Sequence, residues 1–589
     1  MHVQQLRHDR FRRLDRDRWD VIIVGAGLGG LVAGGLLARR GSSVLVVDQH
    51  YVAGGNATVF RRRSYEFDVG IHYVGEAGPD GTLRRVLDAA GGEDVEFAPL
   101  DPDGFDTLVF PDFTFRVPAG VERYRDRLVE HFPEERAGID RYLRLLREVE
   151  ALHRAVANPR RLLPALLGAR LALRYANGTL GRFLDTCTRS PELRAVLAGE
   201  SGDYGQPPSR ASLALHAGLM THYLSTGAYY PVGGGQVLAD RLGAAIEDAG
   251  GKLLLRTRAE RILIRDGRAV GVELTNKHFG RRIVHAGQVI AAGDLKKTVF
   301  ELVGPEHLRR RTSERVRRYE MSPALAVLYL GVRAGALGGR LANTNYWAFP
   351  DYDQERLYAD VRRGAFSEAP LAYLSLASLK DPRNPRLAPA GVVNLQAMTL
   401  APSAPGAWGV SDAEVASGAY SDDASYLARK AELARRLLSA AERALPGLSE
   451  QVVFSELATP LTHSRYTLST GGTSYGIALT PSQFLHRRPG ARTEIRGLVL
   501  AGASLRTGHG VMGAMMSGVF AAAEIAGKSV LAEVLGRRAP RAGSRRTGPP
   551  AQPRKPSSSA VDSAGSSVVK SWPAPGRSSS RAPGMARAR

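Results

Sequence analysis

The sequence contains a single cysteine, Cys187, among its 589 residues. One thiol excludes an internal disulfide framework, a zinc site built from cysteines and a redox-active pair of thiols. We therefore predict a protein without dithiol chemistry and without a metal site.

Long hydrophobic runs are also lacking. The longest candidate, residues 510–523, is shorter than a membrane-spanning helix and is interrupted by glycines. The amino-terminal residues mix arginines with aspartates and contain no apolar segment of the signal-peptide type. These absences predict a cytoplasmic protein, with peripheral attachment to a membrane surface left open.

Positive charge is abundant but unevenly distributed. The formal net charge is +22, and residues 537–589 supply +11 of it through twelve Lys or Arg and one Asp. This tail is rich in Ser, Pro, Gly and Ala and has no apolar periodicity, so we expect it to be disordered. The rest of the chain carries no helix-turn-helix, zinc-finger or aromatic RNA-binding signature, so we predict no specific nucleic-acid partner.

Residues 19–48 carry the most informative pattern in the chain. Gly25, Gly27 and Gly30 form G-x-G-x-x-G between a buried strand, predicted over 20–24, and a helix of small residues that begins at Leu28 and ends near Arg40. The first glycine permits a tight turn, the second lets a pyrophosphate approach the backbone, and the third lets the helix pack close to the strand. The spacing predicts a bound dinucleotide.

A carboxylate and two further glycines follow the second strand, which is predicted over 43–47. Asp48 stands at the end of that strand, where an acid accepts hydrogen bonds from the adenosine ribose. Gly54 and Gly55 come shortly afterwards and allow a backbone turn close to a bound cofactor. Both features strengthen the dinucleotide prediction.

The α/β pattern returns in the middle of the chain. Residues 231–235 (PVGGG) precede a helix predicted over 236–249. Strands predicted over 259–265 and 269–275 are joined by an Asp-Gly turn and form a β-hairpin. We expect this segment to rejoin the cofactor domain and to place backbone groups near the adenine.

The folded part closes with residues 497–527, which read as a strand, a glycine turn and a helix beginning near Val511. The amino terminus of such a helix can stabilise negative charge on an electron-rich cofactor. A strand over 325–332 belongs to another layer, and the chain carries no second dinucleotide fingerprint. A separate nicotinamide-binding domain is therefore not expected.

One histidine and one basic helix allow two interpretations each. Alternating apolar residues predict a strand over 67–72, and His72 is either a site residue or a histidine satisfied within that strand.

Residues 121–221 are predicted to be helical. Within them, residues 160–175 form either a membrane-surface helix or a core helix of a cap domain. In the first case Arg160, Arg161, Arg170 and Arg174 meet lipid headgroups, and Leu162, Leu166, Leu171 and Leu173 enter the boundary.

Four stretches resemble one group of flavoproteins: DQHYVAGG (48–55), EFDVGIHYVG (66–75), GDYGQPPSRASLALHA (202–217) and HYLSTGAYYPVGGG (222–235). Through them the chain resembles, over roughly residues 19–530, the FAD-dependent amine oxidases and phytoene desaturases. Within that family the likeness is to the branch of all-trans-retinol 13,14-reductases (retinol saturases) and carotenoid isomerases. The resemblance implies an α/β fold with a Rossmann-like, GR2-type FAD-binding domain, a discontinuous α+β substrate domain and a helical cap.

The resemblance also implies domain boundaries. They are a charged lead-in over 1–18, an FAD-binding domain over 19–80, 228–300 and 490–535, a substrate and cap domain over 81–227 and 301–489, and the tail over 537–589.

The resemblance implies FAD as the cofactor, with its pyrophosphate at 25–30, its ribose at Asp48 and its isoalloxazine near 508–513. The candidate cofactor-binding residues are Gly25, Ala26, Gly27, Leu28, Gly29, Gly30, Asp48, Gln49, Gly54, Gly55, Asn56, Ala259, Gly502, Ser504, Gly510, Val511 and Met512. Two positions depart from the family pattern. Ala503 stands where an acidic or amide side chain is usual, so the backbone or Ser504 must make that contact, and Asp48 replaces the more frequent Glu.

The implied activity is an FAD-dependent oxidoreductase that acts on C=C or CH–CH bonds of an apolar polyene, a retinoid or carotenoid-like molecule, as saturase, desaturase or isomerase. NAD(P)H, a quinone or oxygen is the electron partner. Candidates for the proton step are His72, His222, Tyr223, Tyr229 and His509. A flavin amine oxidase and a non-catalytic flavin-binding protein are the alternatives.

Overall fold

The computed structural model describes residues 14–156, 159–335 and 337–536. The tail at 537–589, predicted to be disordered, and residues 1–13 of the lead-in lie outside the described residues. The strands are β1 (Arg18–Val24), β2 (Val44–Val47), β3 (Val59–Arg62), β4 (Tyr65–Asp68), β5 (Val74–Gly75), β6 (Phe97–Pro99), β7 (Asp106–Val109), β8 (Thr114–Val117), β9 (Ala228–Pro231), β10 (Lys252–Leu254), β11 (Arg258–Arg265), β12 (Arg268–Asn276), β13 (Gly280–Ala291), β14 (Ala324–Arg333), β15 (Asn345–Ala348), β16 (Ala372–Ser375), β17 (Val392–Ala401), β18 (Val452–Ala458) and β19 (Leu498–Leu500). The α-helices are α1 (Leu28–Ala38), α2 (Thr82–Ala90), α3 (Val121–His131), α4 (Arg136–Val156), α5 (Pro159–Gly168), α6 (Arg170–Arg174), α7 (Leu180–Leu184), α8 (Pro191–Leu197), α9 (Leu213–Thr226), α10 (Gln236–Asp248), α11 (Leu295–Lys297), α12 (Arg310–Arg318), α13 (Gln354–Arg362), α14 (Ala377–Lys380), α15 (Asp412–Ser417), α16 (Ala424–Ala441), α17 (Pro460–Thr467), α18 (Gly510–Ala526) and α19 (Ser529–Leu535).

The first sheet is centred on β1, which ends in four buried β-branched residues, from Val21 to Val24. Strands β10, β2, β1 and β13 lie side by side in parallel, and β19 pairs in parallel with β13. Helices cover parallel sheets on both faces, which is why β1 and β2 are continuous apolar runs. The strands predicted at 20–24 and 43–47 are confirmed within two residues.

Helix α1 connects β1 to β2 and is buried along its whole length. It packs against α10 and α18. Its contact with α18 is close enough that a Cβ on Gly518 would lie 2.2 Å from the carbonyl oxygen of Gly29. Small residues on both helices therefore bring α18 next to the glycine turn. The predicted helices at these places are confirmed, with α1 ending at Ala38 and α18 beginning at Gly510.

The predicted hairpin extends the first sheet in the antiparallel direction. Strands β11 and β12 pair around Asp266 and Gly267, and β12 pairs in turn with the first half of β13. The second half of β13 pairs with β1, so one long strand joins the hairpin to the parallel layer. The return of the middle segment to the first sheet is confirmed.

The second sheet has the strand order β18-β14-β17-β16-β15-β7-β8. Alternate residues of β14 face different cores: Val327 and Tyr329 pack with the helical region, whereas Leu328 and Leu330 pack on the other face with residues of α16. The strand predicted over 325–332 is thus confirmed in a layer of its own. The helical prediction for 121–221 corresponds to α3–α9.

The strand predicted over 67–72 is wrong beyond its second residue. Strand β4 ends at Asp68, whose buried carboxylate accepts a hydrogen bond from the N–H of Gly235 at 2.8 Å and another from the hydroxyl of Tyr230. These bonds tie the chain to the PVGGG turn, so residues 69–73 leave the strand instead of extending it. The alternation of apolar residues over 67–72 therefore reflects burial in a turn and not a continuous strand.

The predicted domain boundaries remain predictions. The structure shows one compact unit ending at Gly536, and helix α2 packs against α1 and α18 of the first sheet. The predicted boundaries place residues 82–90 in the substrate and cap domain. In the structure these residues share a core with the helices and strands of the first sheet through Leu83, Val86 and Leu87.

The basic stretch at 160–175 forms two short helices, α5 and α6. Leu163 and Leu167 of α5 are 66% and 70% exposed. Leu171 of α6 is buried, so its predicted entry into a lipid boundary is wrong, because it packs into the core of the helical region. The side chains of Arg160 and Arg161 lie outside the described residues. Among the helices that the structure describes, none is long and apolar enough to cross a bilayer.

Candidate active site

Two adjoining cavities lie beside the glycine turn. The main cavity has a volume of about 1730 Å³, and its wall includes Gly27 at one place and Leu166 of α5 at another. The side cavity has a volume of about 290 Å³ and is lined by Asp48 and Ala259, among others. Both include Gly55 in their walls. An elongated ligand can therefore occupy both.

The glycine turn is shaped for a phosphate group. A Cβ placed on Gly27 would meet no atom of the described residues within 4 Å, whereas one on Gly30 would lie 2.2 Å from the carbonyl oxygen of Gly25. Gly25 has φ of +108°, which other residues rarely adopt. Gly27 thus borders open space, and Gly30 lets α1 approach β1. Within the described chain, α1 starts without a side-chain cap or an acidic residue in its first turn, which leaves its positive end available to an anion.

Asp48 lies at the side cavity with its carboxylate held by the backbone. Oδ2 accepts a hydrogen bond from the N–H of Ala26 and Oδ1 one from the N–H of His50, both at 2.8 Å. Burial raises the pKa of the carboxyl, and these two bonds oppose that effect. Each oxygen keeps a further lone pair, so Asp48 can accept ribose hydroxyls beside Gln49 and Ala259. Ala26 acts here by orienting the acid.

The remaining candidate cofactor residues line the main cavity: Leu28, Gly29, Gly54, Gly55, Asn56, Gly502, Ser504, Gly510, Val511 and Met512. His509 precedes α18 on the same wall. Its Nδ1 and Nε2, the hydroxyl of Thr507 and the hydroxyl of Ser474 are buried, and none has a hydrogen-bond partner among the described residues. Buried polar groups are rarely left unpaired. This part of the cavity therefore fits a planar ligand rich in heteroatoms, as a flavin ring is.

Four of the five candidates for the proton step line the main cavity: His72, His222, Tyr223 and His509. Burial lowers the pKa of His72 and of His509 to about 3, so both rings are neutral near pH 7. The fifth, Tyr229, lies in strand β9 and packs against the core of the first sheet, and its role in the proton step stays a prediction.

His222 is held at both of its ring nitrogens. Nε2 accepts a hydrogen bond from the N–H of Gly75 at 3.1 Å, and Nδ1 lies 3.3 Å from Oε1 of Glu76. Hydrogen bonds from His222 and Thr82 outweigh burial and lower the pKa of Glu76 to about 2, so this carboxyl is ionised. The geometry favours a positioning role for His222.

The sequence reasoning missed an acidic cluster at the same cavity. The hydroxyl of Tyr73 lies 2.6 Å from Oδ2 of Asp203 and 3.1 Å from Oδ2 of Asp106. Tyr73 and Asp203 line the cavity, and Tyr73 stacks on Tyr223 with ring centroids 4.6 Å apart. One signal was present: Asp106 is an acid within a strand of otherwise apolar type, FDTLVF.

Comparisons with known proteins agree with this architecture. Residues 23–90 match the family described as NAD(P)-binding Rossmann-like domain, and residues 385–526 match flavin containing amine oxidoreductase. The chain is 29% identical over 513 residues to all-trans-retinol 13,14-reductase from Danio rerio, covering 82% of each chain. It is 26% identical over 533 residues to prolycopene isomerase 1, chloroplastic, from an Oncidium hybrid cultivar, covering 87% of this chain and 84% of the relative. The structure of an oxidoreductase from Methanosarcina mazei aligns with a TM-score of 0.57 at 16% identity, over 86% of this chain and 99% of the other.

The Rossmann-like sheet, the glycine turn and the matched flavin family define a flavin-dependent enzyme with the fold of the amine-oxidase-like flavoproteins. Within that class the chain is similar to the all-trans-retinol 13,14-reductases and the prolycopene isomerases. The fold class and the family resemblance predicted from the sequence are confirmed.

Proposed function

We propose that this protein is an FAD-dependent oxidoreductase acting on the carbon–carbon double bonds of an apolar polyene. The observation that carries the proposal is the main cavity, which joins the glycine turn to a long apolar wall. FAD is favoured over a shorter flavin because the side cavity, with Asp48 and Ala259, provides room for an adenosine next to the pyrophosphate turn. The isoalloxazine would lie near 508–513, where His509 lacks partners among the described residues.

The substrate class follows from the wall of the cavity. The second sheet and the helical region contribute aliphatic side chains to it, including Leu215, Leu219, Leu325, Val327 and Leu400. The two relatives are named for all-trans-retinol and prolycopene, which are conjugated polyenes. An extended hydrocarbon chain matches such a wall because its burial is driven by the apolar area removed from water.

The bound flavin supplies transfer of a hydride to or from a carbon atom. The chain's own residues supply the surroundings of that carbon. The aliphatic wall excludes water, and the neutral rings of His72 and His509 offer hydrogen bonds without a net charge. Tyr73 and Tyr223 add a pair of stacked aromatic rings to this apolar wall.

The part of the cavity around Tyr73 and Asp203 is poorly suited to an amine. A substrate ammonium is held by an ionised carboxylate or by aromatic rings that leave space for it. Tyr73 and Tyr223 touch each other with an interplanar angle of 13°, so a cation has no space between them. Burial and the neighbouring Asp106 raise the pKa of Asp203 to about 8, so its carboxyl is mainly neutral near pH 7.

The test is an incubation of the purified, FAD-loaded protein with a panel of retinoids and carotenoids. NADPH, a quinone and oxygen are compared as electron partners, and the products are analysed by mass and retention. We expect a gain or loss of two hydrogens, or an isomer of unchanged mass, for at least one polyene. Peroxide formation with amines but no polyene product would favour an amine oxidase, and a bound flavin without any turnover would favour a non-catalytic role.

We further propose that the substrate enters from a membrane through α5. Leu162 and Leu166 line the main cavity and are partly exposed, while Leu163 and Leu167 on the same helix face solvent. An exposed row of leucines at the wall of an apolar cavity gives a hydrophobic substrate a path that avoids water. Arg170 and Arg174 of the adjoining helix α6 are exposed, and each can contribute about 1 kcal/mol at an anionic surface.

Exchange of Leu163 and Leu167 for glutamine is expected to reduce binding to phosphatidylcholine vesicles at least tenfold. Each inserted leucine contributes on the order of 1.5–3 kcal/mol. Co-sedimentation in about 1 M salt, where the Debye length is roughly 3 Å, suppresses the contribution of the basic tail. Leu427→Gln is the matched control, since Leu427 is an exposed leucine of α16. Equal pelleting of the double variant and the unmodified protein would contradict the proposal.

A further inference from the structure

Tyr73, Asp203 and Asp106 form a hydrogen-bonded row that starts at the wall of the main cavity. The phenolic oxygen of Tyr73 lies within hydrogen-bond distance of both carboxyl groups, at 2.6 Å from Asp203 and 3.1 Å from Asp106. Asp106 is fully buried, and Asp203 borders the cavity. The row therefore connects a deep acid to the space proposed for substrate.

The two carboxyl groups of the row must together hold one proton, in addition to the proton on the phenol of Tyr73. Tyr73 has a single O–H and can donate it to only one of the two carboxyl groups. If both carboxyl groups were ionised, the other contact would place a phenolic lone pair against a carboxylate oxygen. One of the acids must therefore be protonated and must donate to Tyr73.

The surroundings decide which acid holds that proton. Oδ1 of Asp106 accepts a hydrogen bond from Nδ2 of Asn345 at 2.8 Å. The amide oxygen of Asn345 in turn accepts a hydrogen bond from the ammonium of Lys380, which is buried and also donates to the carbonyl oxygen of His72 at 2.7 Å. Burial raises the pKa of the Asp106 carboxyl, and this donor and the nearby ammonium oppose that effect and stabilise its anion. Among the described residues, Asp203 has no such cation beside it.

We propose that Asp203 is the proton donor of this enzyme, a carboxylic acid held at the cavity wall by Tyr73, with Asp106 as the buried anion at the other end of the row. The proposal rests on the proposed function and adds to it the residue that completes a saturation.

The step balances as follows. One carbon of the substrate double bond receives a hydride from a reduced flavin, and the π electron pair moves to the neighbouring carbon. That carbon takes the proton of Asp203, so two C–H bonds replace the π bond and Asp203 is left as a carboxylate. A proton from solvent restores the acid before the next turnover. In the desaturating direction the carboxylate accepts the proton, as microscopic reversibility requires.

The other titratable groups predicted for this step are less suitable donors. His72 and His509 are neutral because burial lowers the pKa of each to about 3. His222 is engaged at both nitrogens. Burial raises the pKa of Tyr223 well above its usual value, which makes its phenol a weak acid.

The pH dependence of Asp203 is set by the groups around it. The carboxyl groups are Asp106 and Glu200, and the phenols are Tyr73, Tyr204, Tyr223, Tyr358, Tyr373 and Tyr475. Burial raises the pKa of Glu200 and of every one of these phenols, so they are uncharged near pH 7. Lys380, whose pKa burial lowers to about 7, is the neighbouring cation, and it reaches the row through Asn345. Burial and the charge of Asp106 raise the pKa of Asp203 to about 8.

A spectroscopic test of the full-length FAD-loaded protein needs no substrate. Infrared spectra in H₂O and D₂O are recorded for the unmodified protein, for Asp203→Asn and for Glu200→Gln. We expect a carboxylic-acid C=O band that disappears with a midpoint near pH 8 and is missing in Asp203→Asn. Glu200→Gln should remove a different band, because Glu200 is a second neutral acid that lies apart from the cavity wall. An unchanged set of bands in Asp203→Asn would overturn the proposal.

A kinetic test uses the polyene turned over by the unmodified protein. Asp203→Asn should lower kcat by about 10²–10⁴-fold while the flavin absorption and melting temperature persist, and Asp203→Glu should recover part of the rate. Glu200→Gln is the matched control and should keep its rate. A general acid acts in its protonated form, so kcat should fall above about pH 8. Tyr73→Phe removes the phenol that contacts the Asp203 carboxyl and should displace that fall along the pH scale.

The outcomes separate this proposal from the proposed function. A rate of Asp203→Asn within threefold of the unmodified protein, or a pH profile unmoved in Tyr73→Phe, would overturn the role of Asp203 although the enzyme acts on polyenes. An unmodified protein that turns over no polyene would contradict the proposed function. The infrared titration would then still decide whether Asp203 carries a proton at the cavity wall.

Discussion

Exchange of Gly27 for valine is expected to abolish flavin binding while the polypeptide still folds. The backbone of Gly27 is extended, with φ of −71° and ψ of 169°, which valine adopts readily. A Cβ at this position meets no atom of the described chain within 4 Å, so the new side chain would enter the main cavity, where the pyrophosphate is proposed to lie. We expect affinity for FAD to fall at least about 100-fold, or about 3 kcal/mol. The flavin absorption of the purified protein and the thermal shift on adding FAD measure it.

Valine substitutions at two further glycines serve as controls for the effect of Gly27→Val on flavin binding. Gly406 also has open space around its Cβ position, lies in an exposed turn, and should keep flavin binding as Gly406→Val. Gly30→Val should fail to fold, because its Cβ would lie 2.2 Å from the carbonyl oxygen of Gly25. A Gly27→Val protein with unchanged flavin absorption and affinity would show that the pyrophosphate lies elsewhere.

The cofactor side of the fold was predictable because its signals are local. The turn from Gly25 to Gly30, its flanking strands and Asp48 lie within a single βαβ unit of about thirty residues. Each requirement there is met by residues close in sequence, such as the hydrogen bond from the N–H of Ala26 to Asp48, 22 residues away. Spacing alone therefore predicted the strands, turn and helix that the structure displays.

The hydrogen-bonded row of Tyr73, Asp203 and Asp106 could not be predicted in the same way. Tyr73 and Asp203 are 130 residues apart, and Asn345 and Asp106 are 239 residues apart. Their contact depends on how the second sheet meets the helical region, which no periodicity encodes. Tyr73 and Asp203 lie within two of the stretches that carry the family resemblance, EFDVGIHYVG and GDYGQPPSRASLALHA, but no sequence spacing links the two residues.

Arg488, a buried charged residue, gives a second example of a contact that sequence spacing does not predict. This side chain is 1% exposed and donates to the carbonyl oxygens of Ala503 at 2.8 Å, Leu505 at 2.8 Å and Ile477 at 3.0 Å. Burial lowers the pKa of its guanidinium to about 10, which leaves it protonated near pH 7. Ala503 and Leu505 line the main cavity, so Arg488 holds the backbone of that wall from behind.

Arg488→Met is therefore expected to destabilise the folded state by about 3–5 kcal/mol, since it leaves three carbonyl oxygens, two buried and one part-buried, without their donor. The midpoint of urea unfolding, followed by far-UV circular dichroism on the flavin-free protein, measures the loss. Flavin affinity should fall as well, because Ala503 and Leu505 lose their anchor.

The expected loss of stability depends on the geometry of the guanidinium and not on its charge alone. Arg488→Lys keeps the charge but presents one compact ammonium, which cannot reach three carbonyl oxygens on separate segments at once, so its stability should lie between those of the unmodified protein and Arg488→Met. Arg310→Met is the control: Arg310 is 91% exposed at its side chain and pairs with Glu314 on the surface of α12, and such a pair contributes about 0–1 kcal/mol. If Arg488→Met unfolds at the same urea concentration as Arg310→Met, the three carbonyl oxygens have found other donors, and the wall of the cavity does not depend on Arg488.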